Sequence, residues 1–366
     1  MFLLLKRSAL FFLPVGMVVL FPFVSFYISG EFIRTADVVK AQIEDAPVLV
    51  GKALPFWGGE YSKIDLIKKK KPSVIALGNS RVLQFRDTFF INGDFFNGGG
   101  IGNLRGFTDV LEQLNDDEAP QMIIIGMDQS YFHPYSDENN VPDLAFTDAE
   151  SSSFAYMIAA WRTVYKNIVN GSYPIAAFFS RKNDGIQAIG LQAYVQGAGN
   201  RNDGSYEYGA TPGVSDPRSA DYEFKDTRRR IQKGVNLFYK GDVISENAIA
   251  ALTDFLDGAK HRGIHVVGFL PPYAQEIYDT LEQNGEYRYM FSLNERISPL
   301  FESYGYSFFD FSNMNSFGGK KDEIIDGLHA SEKAYLRLFI TMARADSVLG
   351  AYAKNEEDLV SLLDMP

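Results

Sequence analysis

The sequence predicts an α/β protein: a doubly wound, mainly parallel sheet, preceded by an N-terminal transmembrane helix and interrupted by one large insertion. Three observations carry that prediction. Apolar runs of strand length, most of them stopping at Gly or Pro, alternate with segments of helical period. The first thirty residues hold an uncharged apolar stretch of membrane-spanning length. The strand–helix rhythm stops near residue 130 and resumes near residue 245.

Taken in order, residues 1–30 read as a retained signal anchor. Lys6 and Arg7 are followed by no charge until Glu31, and at ~1.5 Å per residue residues 8–30 are long enough to cross a bilayer. A cleaved signal peptide has an apolar core of only about 7–15 residues, and no small-x-small cleavage site follows here. Lys6 and Arg7 keep the N-terminus cytoplasmic. The expected location is therefore the cytoplasmic membrane, crossed once, with the rest of the chain periplasmic or extracellular. Residues 31–72 read as a stalk with a helical start, "EFIRTADVVKAQI", ending in the basic run Lys68, Lys69, Lys70 and Lys71.

Residues 73–350 carry the α/β rhythm. "SVIAL" (73–77) is short, apolar and stopped by Gly, as in a parallel strand buried on both faces. "RVLQFRDTFF" suits a short helix. "DFFNGGGIGN" is a strand entering a glycine-rich turn. Leu104, Phe107, Val110, Leu111 and Leu114 are spaced as one helix face, and "QMIIIGMD" (121–128) is the third strand. The segment 130–244 is polar and aromatic, with a helix expected at 151–170, and reads as an insertion covering the sheet's active edge. The rhythm resumes with a helix capped by Ser245 and closed near Gly263. "IHVVGFL" (264–270), a helix at 289–303, the strand "YSFFDF" (306–311) and a last helix from Ser331 follow. Residues 351–366 read as a C-terminal tail.

Composition excludes several function classes. The formal net charge of −11 argues against a nucleic-acid partner, which requires a basic face. With no cysteine, disulfides, thiolate metal sites and a Cys nucleophile are ruled out. The histidines are His133, His261, His265 and His329. They offer no closely spaced ligand set, so neither a metal nor another cofactor is expected.

A doubly wound sheet places its site at the carboxyl ends of its strands. Four places answer to that: Ser80 after the first strand, the 98–103 glycine turn after the second, Gly126, Met127 and Asp128 after the third, and Asp326, Gly327, Leu328 and His329 before the last helix. The chemistry explains the combination. A serine hydroxyl needs a base to take its proton; His329 supplies one, and Asp326, three residues earlier, orients and charges the imidazole. An acyl oxyanion needs preorganised donors, available as the Ser80 N–H and an N–H of the 98–103 turn.

These blocks resemble the SGNH (GDSL-like) hydrolase superfamily, over about residues 73–129 and 245–350. The resemblance implies a flavodoxin-like three-layer αβα fold. The nucleophile block reads Gly78-Asn79-Ser80, with Asn where Asp is usual. In "NGGGIGN", Gly102 matches the oxyanion glycine. The third block reads Gly126-Met127-Asp128-Gln129, with Asp128 where the family has its oxyanion Asn. An ionised carboxylate donates no hydrogen bond. The expectation is therefore that Asp128 serves the acceptor, or that Asn79, Arg81 or Gln129 fills the gap. The fourth block, "DGLH", matches fully.

One membrane-anchored branch of the superfamily is the most similar. Its members work beside a membrane-bound O-acyltransferase and acetylate exported polysaccharides. The resemblance implies an enzyme that takes an acyl group, acetyl in that branch, onto Ser80. It passes the group to a hydroxyl of a polysaccharide acceptor, with Tyr131, Tyr135, Tyr206 and Tyr208 of the insertion as an acceptor platform. Two alternatives stand beside it. One is a carbohydrate esterase with the same triad and water as acceptor. The other is a non-catalytic scaffold of an acylation complex, which Asp128 supports.

Overall fold

The computed structural model describes residues 2–44, 46–53, 59–139, 154–180 and 185–364. They form two compact units. The larger comprises Gly59–Thr147, Asp203–Ser205 and Pro212–Pro366; the smaller comprises Met1–Gly58, Asp148–Asn202 and Tyr206–Thr211.

The larger unit is built on five parallel strands: β1 (Val74–Gly78), β2 (Phe95–Asn97), β3 (Met122–Gly126), β4 (His265–Leu270) and β5 (Ser307–Asp310). Their order is β2-β1-β3-β4-β5, and every neighbouring pair is parallel. Parallel neighbours require crossover connections, so both faces become covered and the strands read as unbroken apolar runs. β1 and β3 are buried at every position. The crossovers and flanks supply α1 (Gly59–Lys70), α2 (Arg105–Gln113), α3 (Glu246–His261), α4 (Arg288–Tyr304) and α5 (Glu332–Ala345). Val74, Ala76, Met122, Ile124, Val267 and Phe269 share one core with Ala334, Tyr335, Leu338 and Phe339 of α5. On the opposite face Gly268 of β4 makes room for Phe301 of α4, whose ring would stand 2.3 Å from an added Cβ. The α/β class and the mainly parallel sheet expected from the sequence are present. So are the caps: Ser245 accepts from the Ala248 N–H and Ser331 from the Ala334 N–H.

The connection from β1 to β2 runs to one side of the sheet, while β3 lies on the other side of β1. The order in which strands are added reverses there, and a sheet of this kind binds its ligands beyond the carboxyl ends of the strands at that switch point, here β1 and β3.

Three boundary expectations are corrected. Residues 31–72 are not a stalk. Thr35–Ile43 is helical, Val48–Val50 pairs with Gln187–Ile189 and with Gly199–Asn200, and α1 belongs to the larger unit. Polar composition hid the buried side chains of Val38, Val39 and Val48. Of residues 351–366, expected as a C-terminal tail, those described pack on the domain: Asn355 caps the helix Glu356–Leu363, whose Leu359 lies in the α5 core. The insertion is not one lid, because its residues divide between the two units. Part of it, residues 140–153 and 181–184, lies outside the described residues.

In the smaller unit a helix, Phe2–Ser29, contains one 18-residue stretch, Phe11–Ile28, of mean hydropathy 2.2. It is long and apolar enough to cross a membrane.

Candidate active site

The site begins with two glycines. Gly78 and Gly126 are register partners at the carboxyl ends of β1 and β3. The Val82 side chain, fully buried, sits against both. A Cβ on Gly78 would meet it at 2.5 Å and the Gly126 carbonyl oxygen at 2.7 Å, and one on Gly126 would meet Val82 at 2.2 Å. Val82 can return to the core this soon after the strand only because neither neighbour has a side chain. The Asn79 carboxamide oxygen accepts the Arg81 N–H at 2.9 Å and closes the tight turn Ser80–Val82. The Tyr335 hydroxyl of α5 donates to the Arg81 carbonyl. Arg81 and Val82 are thereby turned inward, and Ser80 is left exposed past the carboxyl end of β1.

The loop before α5 brings the second half. Ser80 Oγ lies 2.8 Å from His329 Nε2, across 249 residues of sequence. His329 Nδ1 lies 2.8 Å from Asp326 Oδ2 and 3.0 Å from Oδ1. Asp326 Oδ1 also accepts the Leu328 and His329 N–H groups, each at 2.8 Å. Burial pushes the Asp326 carboxyl up, but the hydrogen bond and charge of His329 and the two N–H donors outweigh it, bringing it down to about 2. An ionised carboxylate at Nδ1 selects the Nδ1–H tautomer, and Nε2 then faces the serine as an acceptor.

Sequence reasoning missed what holds this loop. Asp221 Oδ2 accepts the Gly327 N–H at 3.0 Å and the Thr227 hydroxyl at 2.7 Å, and Oδ1 accepts the Thr227 N–H at 2.8 Å. Thr227 is fully buried and presses on Gly327, where a Cβ would meet its hydroxyl at 2.5 Å. No short-range signal marks Asp221, which stands 106 residues before Gly327.

The 98–103 turn folds under the end of β1. The Gly100 and Ile101 N–H groups donate to the Gly78 carbonyl at 2.7 and 2.8 Å. Lys63 of α1 donates to the Gly99 carbonyl at 2.6 Å, and the Tyr131 hydroxyl to the Ile101 carbonyl at 2.8 Å. Among the described residues, the Ser80 and Gly102 N–H groups have no protein acceptor. Gly102 is exposed, with open space where a side chain would project. Asn103, one residue before the N-cap of α2, spends its carboxamide oxygen on the Gly106 N–H at 2.8 Å.

The four side chains expected as substrate or oxyanion contacts do something else. Arg81, Asp128 and Gln129 are buried beneath the turn, and Asn79 is half-buried. Arg81 donates to Asp128 at 2.9 Å, to Gln129 at 2.7 Å and to the Pro271 and Pro272 carbonyls at 2.8 Å each, with its guanidinium 4.4 Å from the Tyr273 ring centre. Asp128 accepts from Asn79, from Arg81 and from the Ser130 N–H and hydroxyl. Gln129 donates to the Pro271 carbonyl and to Ser312. Burial opposes ionising Asp128, yet the Arg81 charge and these donors hold its carboxyl below the usual range. Its charge is matched by a guanidinium at contact distance and is not aimed at an oxyanion. The network ties the carboxyl ends of β1, β3 and β4 together.

Of the four tyrosines expected as a platform, Tyr131 is buried and bonded to the 98–103 turn, and Tyr135 is exposed. Tyr206 and Tyr208 belong to the smaller unit, where their rings touch each other. Among the described residues no cluster of three or more His, Cys, Asp or Glu groups is placed to hold a metal ion. No family model matches the chain, and no curated protein matches it.

Proposed function

We propose that this protein is an extracytoplasmic, membrane-anchored serine acyltransferase of SGNH type. The observation that carries the proposal is the relay Ser80–His329–Asp326, with both hydrogen-bonded contacts at 2.8 Å. His329 Nε2 takes the Ser80 proton as Oγ attacks the acyl carbonyl. Asp326, ionised, stabilises the imidazolium. The Ser80 and Gly102 N–H groups, and the Asn103 carboxamide N–H₂, are the donors proposed for the oxyanion. The imidazolium then returns its proton to the departing group. An incoming sugar hydroxyl reverses the steps: its proton goes to Nε2, its oxygen takes the acyl group, and Ser80 is regenerated.

The polysaccharide acceptor, the acetyl group and a membrane-bound O-acyltransferase as donor rest on the resemblance of the four sequence blocks. The anchor orientation rests on Lys6 and Arg7. The scaffold alternative drew its support from Asp128, and the Arg81 pairing supplies a structural reason for that residue instead. The test is a mass shift of one acyl group on Ser80 after incubation with an activated acyl donor. Ser80→Ala is expected to abolish the adduct and to lower turnover by roughly 10⁴–10⁶-fold. No adduct, or one that persists in Ser80→Ala, overturns the proposal. Release of free acid undiminished by added glycan acceptor assigns the site to hydrolysis.

A further inference from the structure

The turn that presents the Gly102 N–H is held peptide by peptide. Gly98 donates to the Ala76 carbonyl at 2.8 Å, Gly99 to the Asn97 carboxamide oxygen at 3.0 Å, and Gly100 and Ile101 to the Gly78 carbonyl. Asn97 is fully buried and gives its carboxamide N–H₂ to the Val82 and Phe85 carbonyls, at 2.9 and 3.0 Å. The turn is thereby tied to the segment that carries Ser80. Gly99 has no room for a side chain: an added Cβ would stand 2.6 Å from Val82 and 2.9 Å from Asn97 Oδ1 and from Leu83.

The remaining side of Gly99, its carbonyl, is held by Lys63. This lysine lies on α1 one helical turn before Ile67, which also reaches the glycine turn: a Cβ on Gly98 would stand 3.4 Å from it. Lys63 is buried, and its Nζ donates to the Gly99 carbonyl at 2.6 Å and to the Gly204 carbonyl at 3.0 Å. Gly99 and Gly204 are themselves buried. Gly204, left-handed at φ 78°, sits in Asp203–Ser205, which belongs to the larger unit. The Asp203 carbonyl accepts the Asn97 N–H at 2.7 Å, so this short segment lies along the outer edge of β2. An ammonium is costly to bury without acceptors. The two carbonyls offset that cost only while both the turn and residues 203–205 are in place.

We infer that Lys63 is a positioning residue for acyl transfer. Through the Gly99 carbonyl it fixes the tilt of the 98–103 turn, and with it the place of the Gly102 N–H relative to Ser80; Asp203–Ser205 is the support it braces against. Oxyanion donors act by being preorganised, and a displacement of about 1 Å costs about 10²-fold in rate. The inference rests on the acyltransferase reading.

The test compares full-length wild type with Lys63→Met, which keeps the apolar stem and removes the charge and its donors. Competent sites are counted by end-point labelling of Ser80 with a fluorophosphonate, and kcat per site and KM are measured with p-nitrophenyl acetate. The expected result is an unchanged site count, an unchanged KM and a kcat per site lower by about 10²-fold. KM holds because an oxyanion forms in acylation and deacylation alike, so both steps slow together. A kcat per site within about tenfold of wild type overturns the inference, whatever happens to KM or to the site count. A site count that falls while kcat per site holds means that Lys63 serves the fold alone. Should Lys63→Met not fold, Lys63→Gln is read by the same criteria; loss of the fold in both assigns Lys63 to stability and overturns the inference. Wild type that forms no Ser80 adduct overturns the acyltransferase reading, and the inference with it.

Discussion

Ser80 is exposed because its neighbours are not. Arg81 and Val82 turn inward over two glycines, and the serine is what remains at the surface past the end of β1. Its reactivity is assigned by His329 and Asp326, and each has a separate consequence. Asp326→Asn is expected to keep the fold and lower turnover by about 10⁴-fold, because an amide no longer selects the Nδ1–H tautomer; steady-state kinetics beside circular dichroism checks this. Asp221 acts one step back, through the Gly327 N–H and Thr227. Asp221→Ala strands those buried donors at a cost of about 1–3 kcal/mol. Acylation of Ser80 is expected to slow while any product already on Ser80 stays chemically normal, which single-turnover measurements separate. Asp128 shows how a residue misleads when read by position in a block. It occupies the place of an expected donor, but Arg81, 47 residues earlier, absorbs its charge. Asp128→Asn is expected to restore no oxyanion donor. It should destabilise the protein by about 3–5 kcal/mol, the cost of breaking a buried pair, read as a lower denaturant midpoint.

At the scale of elements, the site depends on how closely β1 and β3 approach. Gly78→Ala places a methyl group between Val82 and the Gly126 carbonyl. The expected penalty of overpacking is about 1–3 kcal/mol, together with loss of the serine adduct as the turn shifts. A second element-level device is the carboxyl pair that joins residues 203–205 to the chain after β1. Asp203 accepts the Asp87 N–H at 3.1 Å and Arg86 Nε at 3.2 Å, and Arg86 also bonds Glu332 at the start of α5. Burial, followed by the Asp203 charge and hydrogen bond, pushes the Asp87 carboxyl up to about 6, whereas in the unfolded chain it titrates near ~3.9. The folded protein therefore holds a proton here that the unfolded chain releases across that window, and the contribution of Asp87 to stability falls as pH rises from about 4 to about 6. Asp87→Asn keeps a donor in place without the proton. Melting temperature followed against pH is expected to lose that slope in the variant.

For the whole molecule, chain order and spatial order differ in an instructive way. The five strands occur in the sequence where their apolar runs put them, and four of those runs stop at Gly or Pro; β1 and β3, buried at every position, have no polar face to disguise them. The caps Ser245 and Ser331 were legible for the same local reason. The nucleophile and the Asp-x-x-His blocks were legible too, since each is a short pattern at the end of such an element. Residues 31–72 and 351–366 were misread because their few apolar side chains carry no clear period, and only packing makes Val48 and Leu359 core residues. The insertion could not be apportioned between two units from composition at all. The sequence by itself determined the α/β class, the positions of the five strands and of the helices that follow Ser245 and Ser331, the apolar N-terminal helix and the candidates Ser80, Asp326 and His329, all of which follow from local periodicity and short spacing. Only the tertiary structure decided that Ser80 and His329 meet. It also decided that Asp221 holds their loop and that Asp128 neutralises Arg81 beneath the turn. Those contacts span from 47 to 249 residues, and the sheet order that closes them is a property of packing that no window of sequence contains.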